Sequence, residues 1–191
     1  MRLWDVVYRI DVYGLMKFYD ALGLEPKLAL DPDDLKKRFY DRSRQWHPDR
    51  FSRASSEEKQ KSEEMTSMLN DAFRTLRDPV SRAEYFLRES GLELAKDAPP
   101  ELLEEMFELN MALEELRGGD ESARTQLIAA RLRFAEMLDQ ADASLGESFV
   151  HYDQTRDRAD LDQIRATLNR RKYVSNLASH VEREWDVEPA N

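Results

Sequence analysis

His47 and Asp49 flank Pro48, so an imidazole and a carboxylate stand two residues apart on either side of a fixed φ. Displayed from a backbone with little freedom to lose on binding, such a pair suits pressing on a partner. General acid–base work is the weaker reading, because a tight loop between two helix ends has no walls to desolvate a substrate. A plain turn, in which Pro48 merely stops a helix, is the third possibility. His151 and His180 are isolated, without a second His or a convergent carboxylate at a dependable ligand spacing, and read as surface or helix-end residues. The 191 residues include no Cys, which excludes disulfides, thiolate catalysis and Cys-held zinc or iron–sulfur clusters. With no metal set, phosphate loop or nucleophile constellation, neither a cofactor nor an enzymatic activity of the chain itself is expected.

Charge gives the loop a setting. The net charge of −10 is unevenly placed: residues 1–95 carry 17 bases and 18 acids, residues 96–191 carry 12 and 21. Within the first half, Lys36, Lys37, Arg38, Arg42, Arg44, Arg50 and Arg53 face only Asp41 and Asp49, a local net of +5 beside the loop. A nucleic-acid domain usually has a basic surplus overall, so nucleic acid is not the expected partner. A solvated helix face and a surface for an acidic protein are the two readings left, and charge complementarity favours the second.

The elements that must position these residues are helices. Six Gly and seven Pro are too few for a turn-rich β architecture, while 41% hydrophobic and 36% charged residues can fill a core and wet a surface. No apolar run approaches the roughly 18 residues of a membrane span, so no membrane is expected. Residues 1–14 include Asp5, Arg9 and Asp11 where a secretory leader would be apolar, which leaves the cytoplasm as the expected compartment.

Phe18, Tyr19 and Leu22 before Gly23 predict a short helix. Asp31 and Pro32 cap a second, on which Leu35, Phe39, Ser43 and Trp46 recur until Pro48. On its wheel Lys37 and Arg44 lie opposite Phe39, with Lys36, Arg38 and Arg42 flanking, so the bases face solvent or a partner. Ser55 and Glu58 form a capping box for a third helix striped by Met65, Met68, Leu69, Ala72, Phe73 and Leu76. Asp78 and Pro79 open a fourth, closed before Gly91. The second and third should pair as an antiparallel hairpin.

After a corner at residues 95–100, Pro100 should start a helix to Arg117, followed by helices over about residues 122–145 and 153–185. Leu127, Ala130, Phe134, Leu138 and Ala141 stripe the first of that last pair, and Leu161, Ile164, Leu168, Val174, Leu177 and Val181 the other. Three helices on short loops make an antiparallel bundle, and the fold class is all-α. Trp4, Trp46 and Trp185 read as packing residues.

A basic helix, a loop beginning His47-Pro48-Asp49 followed by Arg50 and Phe51, and a helix ending Asn70-Asp71-Ala72-Phe73-Arg74-Thr75-Leu76 together resemble the J domain. The run from Asn70 through Asp78-Pro79 and Arg82-Ala83-Glu84-Tyr85 to Leu94 looks like the HscB co-chaperones of iron–sulfur cluster assembly, over roughly residues 18–187. The resemblance implies a four-helix J domain at residues 15–94 and a three-helix scaffold-binding domain at 98–187. It further implies that Lys37, Arg38, Arg42, Arg44, His47, Pro48 and Asp49 engage an HscA/DnaK-type ATPase chaperone and stimulate it. Two departures stand out: no N-terminal Cys-based module is present, and Arg42 stands where the family is expected to have an apolar residue.

The helix from Pro100 supports a second surface independently. Leu102, Met106, Leu109, Leu113 and Leu116 keep a heptad sufficient to seat it in a bundle. Leu103, Phe107 and Met111 form a further row at i, i+4 and i+8, with Glu104, Glu108 and Glu115 around it. Either the row widens a buried face, or it is an exposed strip rimmed by carboxylates, the form of a docking site. By resemblance the ligand of the strip would be an IscU-type cluster scaffold, with Tyr173 beside it. A J-domain co-chaperone for another client and a structural helical adaptor are the alternatives.

Overall fold

The computed structural model describes residues 16–95 and 97–185, with side chains through Arg183. The expectations for residues 1–15, Trp4, Lys96 and the segment ending at Val187, and for the Trp185 side chain, lie outside the described residues. The described chain is all-α and falls into two compact units, one running to Glu93 and taking in Tyr152–Thr155, the other of the described residues from Leu94 to His151 and from Arg156 onward.

In the first unit α1 (Lys17–Leu22) buries Tyr19 and Leu22 and stops at Gly23, whose φ of 65° lets the Leu24 amide return to the Tyr19 carbonyl. Helix α2 (Pro32–Gln45) starts where the Asp31 carboxylate accepts the Asp33 amide, and a 3-10 turn, Pro48–Phe51, follows it. Helix α3 (Ser56–Arg77) begins with the full capping box: the Glu58 amide donates to Ser55 Oγ and the Ser55 amide to Glu58 Oε2. Helix α4 (Pro79–Glu89) is capped by Asp78, which accepts the Ser81 amide.

Phe39 stacks on Phe73 at 4.3 Å between centroids, and the Trp46 carbonyl accepts from Ser62 and Thr66. The end of α2 thus meets the beginning of α3, the antiparallel hairpin that the two stripes require. Leu28, Leu35, Leu69, Ala72, Leu76, Ala83 and Phe86 are buried. Tyr152 meets Phe86 edge to face, and the Asp153 carboxylate accepts the Leu28 and Ala29 amides at 3.0 and 2.8 Å. Arg82 is buried too: its Nη1 donates to the Leu76 carbonyl, its Nε has no partner, and burial pulls its pKa down against the fields of Tyr19, Asp78 and Asp153.

The second unit holds α5 (Leu103–Arg117), α6 (Ala123–Thr155) and α7 (Arg158–Trp185), α6 giving its last four residues to the first unit. Leu102, Leu109, Leu113, Leu127, Phe134, Val174 and Val181 share one core, with Met106, Leu116 and Leu138 partly buried against it. Arg131 pairs with Glu182 and Arg171 with Asp142, so α6 and α7 run antiparallel.

Three expected boundaries move. Pro100–Leu102 forms a 3-10 turn ahead of α5, because the Leu102 amide reaches back three residues to the Pro99 carbonyl. Helix α6 passes through Gly146 and ends at Thr155, since Leu145, Phe149 and Tyr152 prolong its buried stripe and outweigh the roughly 1 kcal/mol cost of a helical glycine. The break falls at Arg156, with φ at 57°, and α7 starts at Arg158 instead of residue 153. Among the described residues no helix is long and apolar enough to cross a membrane.

Candidate functional site

The 3-10 turn after α2 presents His47, Pro48 and Asp49 on its outside. The His47 side chain is 59% exposed and that of Asp49 90%. The Asp49 amide donates to His47 Nδ1 at 3.3 Å, and the same nitrogen lies 3.6 Å from Asp49 Oδ2. By accepting that amide the ring caps its own turn. A pair so open to water has no desolvated pocket in which to move a substrate proton.

The base of the loop is held from behind. Buried Ser62 and half-buried Thr66 donate to the Trp46 carbonyl at 2.7 and 3.1 Å, which satisfies the C-terminal end of α2. Trp46 stacks on Phe51 with the rings 7° from parallel, and Lys61 lies 6.0 Å from the Trp46 ring. Sequence reasoning missed Ser62 and Thr66 as positioning residues. Their only signal is a hydroxyl pair on the apolar side of a helix.

The basic patch divides. Lys36, Lys37 and Arg44 are exposed, Arg44 pairing with Asp41. Arg38 and Arg42 do not face outward freely as the wheel predicts. Arg38 pairs with Asp34 at 2.8 Å and donates to the Gly23 carbonyl, while the Arg42 guanidinium lies so close to Gly23 that a Cβ there would sit 2.8 Å from Nη2. Two cations are drawn to the carboxyl end of α1, where unpaired carbonyls favour positive charge.

The second surface lies on α5. The heptad residues Leu102, Leu109 and Leu113 are buried, whereas Leu103, Phe107 and Met111 are 56%, 67% and 44% exposed. The alternative of a widened buried face is thereby excluded for this row. Glu104 and Glu108 are exposed and Glu115 is half-buried. Arg133 of α6, which sequence reasoning did not single out, reaches Glu105 and Glu108 at 3.3 Å each. Tyr173 is half-buried against the bundle core. His151 is not isolated as expected: its Nδ1 lies 2.9 Å from Asp160 Oδ2, across the turn between α6 and α7.

Comparison with known proteins places both units. A family model for the DnaJ domain matches residues 17–85, so the fold and its exposed His-Pro-Asp loop are those of a J-domain co-chaperone. A second model, described as the HSCB C-terminal oligomerisation domain, matches residues 98–182. The co-chaperone protein HscB homolog of Vibrio vulnificus is 30% identical over 171 residues, covering 87% of this chain and 95% of the relative. Its counterpart in Neisseria meningitidis is 29% identical over 167 residues, 81% of this chain and 98% of the relative. The chain belongs to the HscB family. The solved chaperone HscB from Vibrio cholerae superposes with a TM-score of 0.62 at 27% identity, over 88% of this chain and 97% of that one. Human co-chaperone HscB, at 24% identity and a TM-score of 0.60 over 88% and 82% of the two chains, shares the fold. Membership with a J domain implies an Hsp70-type chaperone as partner.

Proposed function

We propose that this protein stimulates ATP hydrolysis by an HscA-type chaperone and delivers an IscU-type iron–sulfur scaffold to it. His47, Pro48 and Asp49 press on the chaperone from the rigid turn. Lys37 and Arg44 steer it, with Arg38 and Arg42 contributing charge from closer to α1. Leu103, Phe107 and Met111 hold the scaffold, Glu104, Glu108 and Glu115 select for basic residues around it, and Tyr173 supports the edge of the strip.

The observation that carries the reading is the row on α5. A seated helix has no need of a two-thirds exposed Phe107 between two further exposed apolar side chains, and such patches on soluble proteins mark interaction sites. The test is single-turnover ATP hydrolysis by the chaperone with this protein, with the scaffold, and with both. The expected result is acceleration by the protein alone and a further rise with both. A rate indifferent to this protein would refute the first half, and a scaffold without effect in its presence the second.

A further inference from the structure

A Ser or Thr hydroxyl on a helix commonly turns back to the carbonyl four residues earlier. Thr167 does so toward Gln163 and Ser90 toward Phe86. Ser62 and Thr66 of α3 do otherwise: both cross to the Trp46 carbonyl at the end of α2, 16 and 20 residues back in the chain. Spaced i and i+4, they lie one above the other on a single helix face, and the two lone pairs of one carbonyl oxygen accept both. Ser62 is wholly buried, where a hydroxyl is costly unless it is bonded.

What the pair grips is the peptide plane between Trp46 and His47. Trp46 has left the helix, with φ at −101° and ψ at 11°, so its carbonyl has no place in the helical ladder. Beyond that plane the chain has little left to choose. Pro48 confines His47 to extended backbone, at φ −61° and ψ 129°, and fixes its own φ, while the Arg50 amide closes the turn on the His47 carbonyl at 3.0 Å. Rotation of the plane about the Trp46 Cα–C bond is the freedom that proline does not remove, and the two hydroxyls hold it. We infer that Ser62 and Thr66 are positioning residues for stimulation of the chaperone: through the Trp46 carbonyl they set the direction in which His47, Pro48 and Asp49 leave α2. The inference rests on the reading of that loop as the stimulating element. Lys36, Lys37 and Arg44 draw the partner to α2 whatever the loop direction, so loss of the hydroxyls lowers the effect of a bound co-chaperone more than its binding, because fewer bound molecules hold the loop competent at any moment.

The experiment is single-turnover ATP hydrolysis by an HscA-type chaperone against increasing concentrations of the full-length protein, which separates the maximal rate from the half-saturating concentration. Ser62→Ala is expected to lower maximal stimulation about threefold, the size of one net hydrogen bond, and Ser62→Ala combined with Thr66→Val about tenfold, with half-saturation within about twofold of native. Thr66→Ser keeps the hydroxyl and should stimulate fully. Thermal melts establish that each variant is folded. Full maximal stimulation by the folded double variant, with Asp49→Ala inactive, overturns the positioning role and leaves the loop reading standing. An effect confined to half-saturation, with the maximal rate intact, overturns it equally. Native stimulation by Asp49→Ala removes the loop itself, and the positioning role with it. If the double variant does not fold, Ser62→Ala decides.

Discussion

A loop residue and a ridge residue carry the two halves of the proposed function, and each can be removed without touching a core. Asp49→Ala and His47→Gln should abolish stimulation of the chaperone, while melting free energies stay within about 0.5 kcal/mol, since both side chains are open to water. Full stimulation by folded Asp49→Ala protein would remove the loop from the mechanism. Phe107→Ala should weaken the scaffold complex by about 1 to 3 kcal/mol, read by calorimetry. With the ring two-thirds exposed, its denaturant midpoint should barely move, unlike the roughly 3 to 5 kcal/mol lost when a core Phe is cut to Ala. The loop was legible in the sequence because Pro48 breaks an otherwise regular stripe and displays its neighbours. The hydroxyls of Ser62 and Thr66 were not, because whether a buried hydroxyl serves its own helix or a distant carbonyl is settled only in three dimensions.

At the scale of the element, caps and stripes decide where helices run, and they are read with unequal success. Starts were the more legible: Asp31-Pro32, Ser55 with Glu58, and Asp78-Pro79 each make the predicted bonds, because an N-terminal cap is a local exchange between near neighbours. The end of α6 was not, because Gly146 imitates a stop while the burial of Phe149 and Tyr152 overrides it. That glycine has open space around the place of a Cβ, so Gly146→Ala should stabilise the fold by roughly 0.5 to 1 kcal/mol, measured by denaturant unfolding. A smaller midpoint than that of the native protein would mean the glycine is required. The capping box at α3 supplies a pH dependence. Its bonds from Ser55 hold the Glu58 carboxyl below the ordinary glutamate range, so the unfolded chain takes up this proton first on acidification. The box therefore contributes fully above the ordinary glutamate value near 4.3 and is lost as pH falls through the lower folded value. Glu58→Gln should flatten that part of the stability curve, and an unaltered acid slope would count against the cap.

The molecule as a whole separates its charges by function. A basic helix in a nearly neutral first half and an acidic second half give the two proposed partners opposite electrostatic cues. Association with the chaperone should slow as salt is added, the screening length falling from about 10 Å at 0.1 M toward 3 Å at 1 M, and stopped-flow on-rates would register it. Lys37→Ala should slow it more than Arg38→Ala, whose charge is already engaged by Asp34 and the Gly23 carbonyl. An on-rate independent of salt would rule out steering. The uneven sum of charges was plain in the sequence. Which cations turn inward was not, since Arg38 and Arg42 are distinguished from their neighbours only by the carboxyl end of α1 lying beside them.

The contact of Arg42 with Gly23 makes one position pleiotropic. A side chain at residue 23 would have to adopt a φ of 65° and would also displace the far end of Arg42, a flexible group that yields easily. A change in the stop signal of α1 would thus release a cation from α2 and alter the charge offered to a partner that never touches residue 23. Because that group yields, the cost of a side chain at residue 23 lies mostly in the φ, and Asn, which tolerates the left-handed region, is the replacement least resisted there.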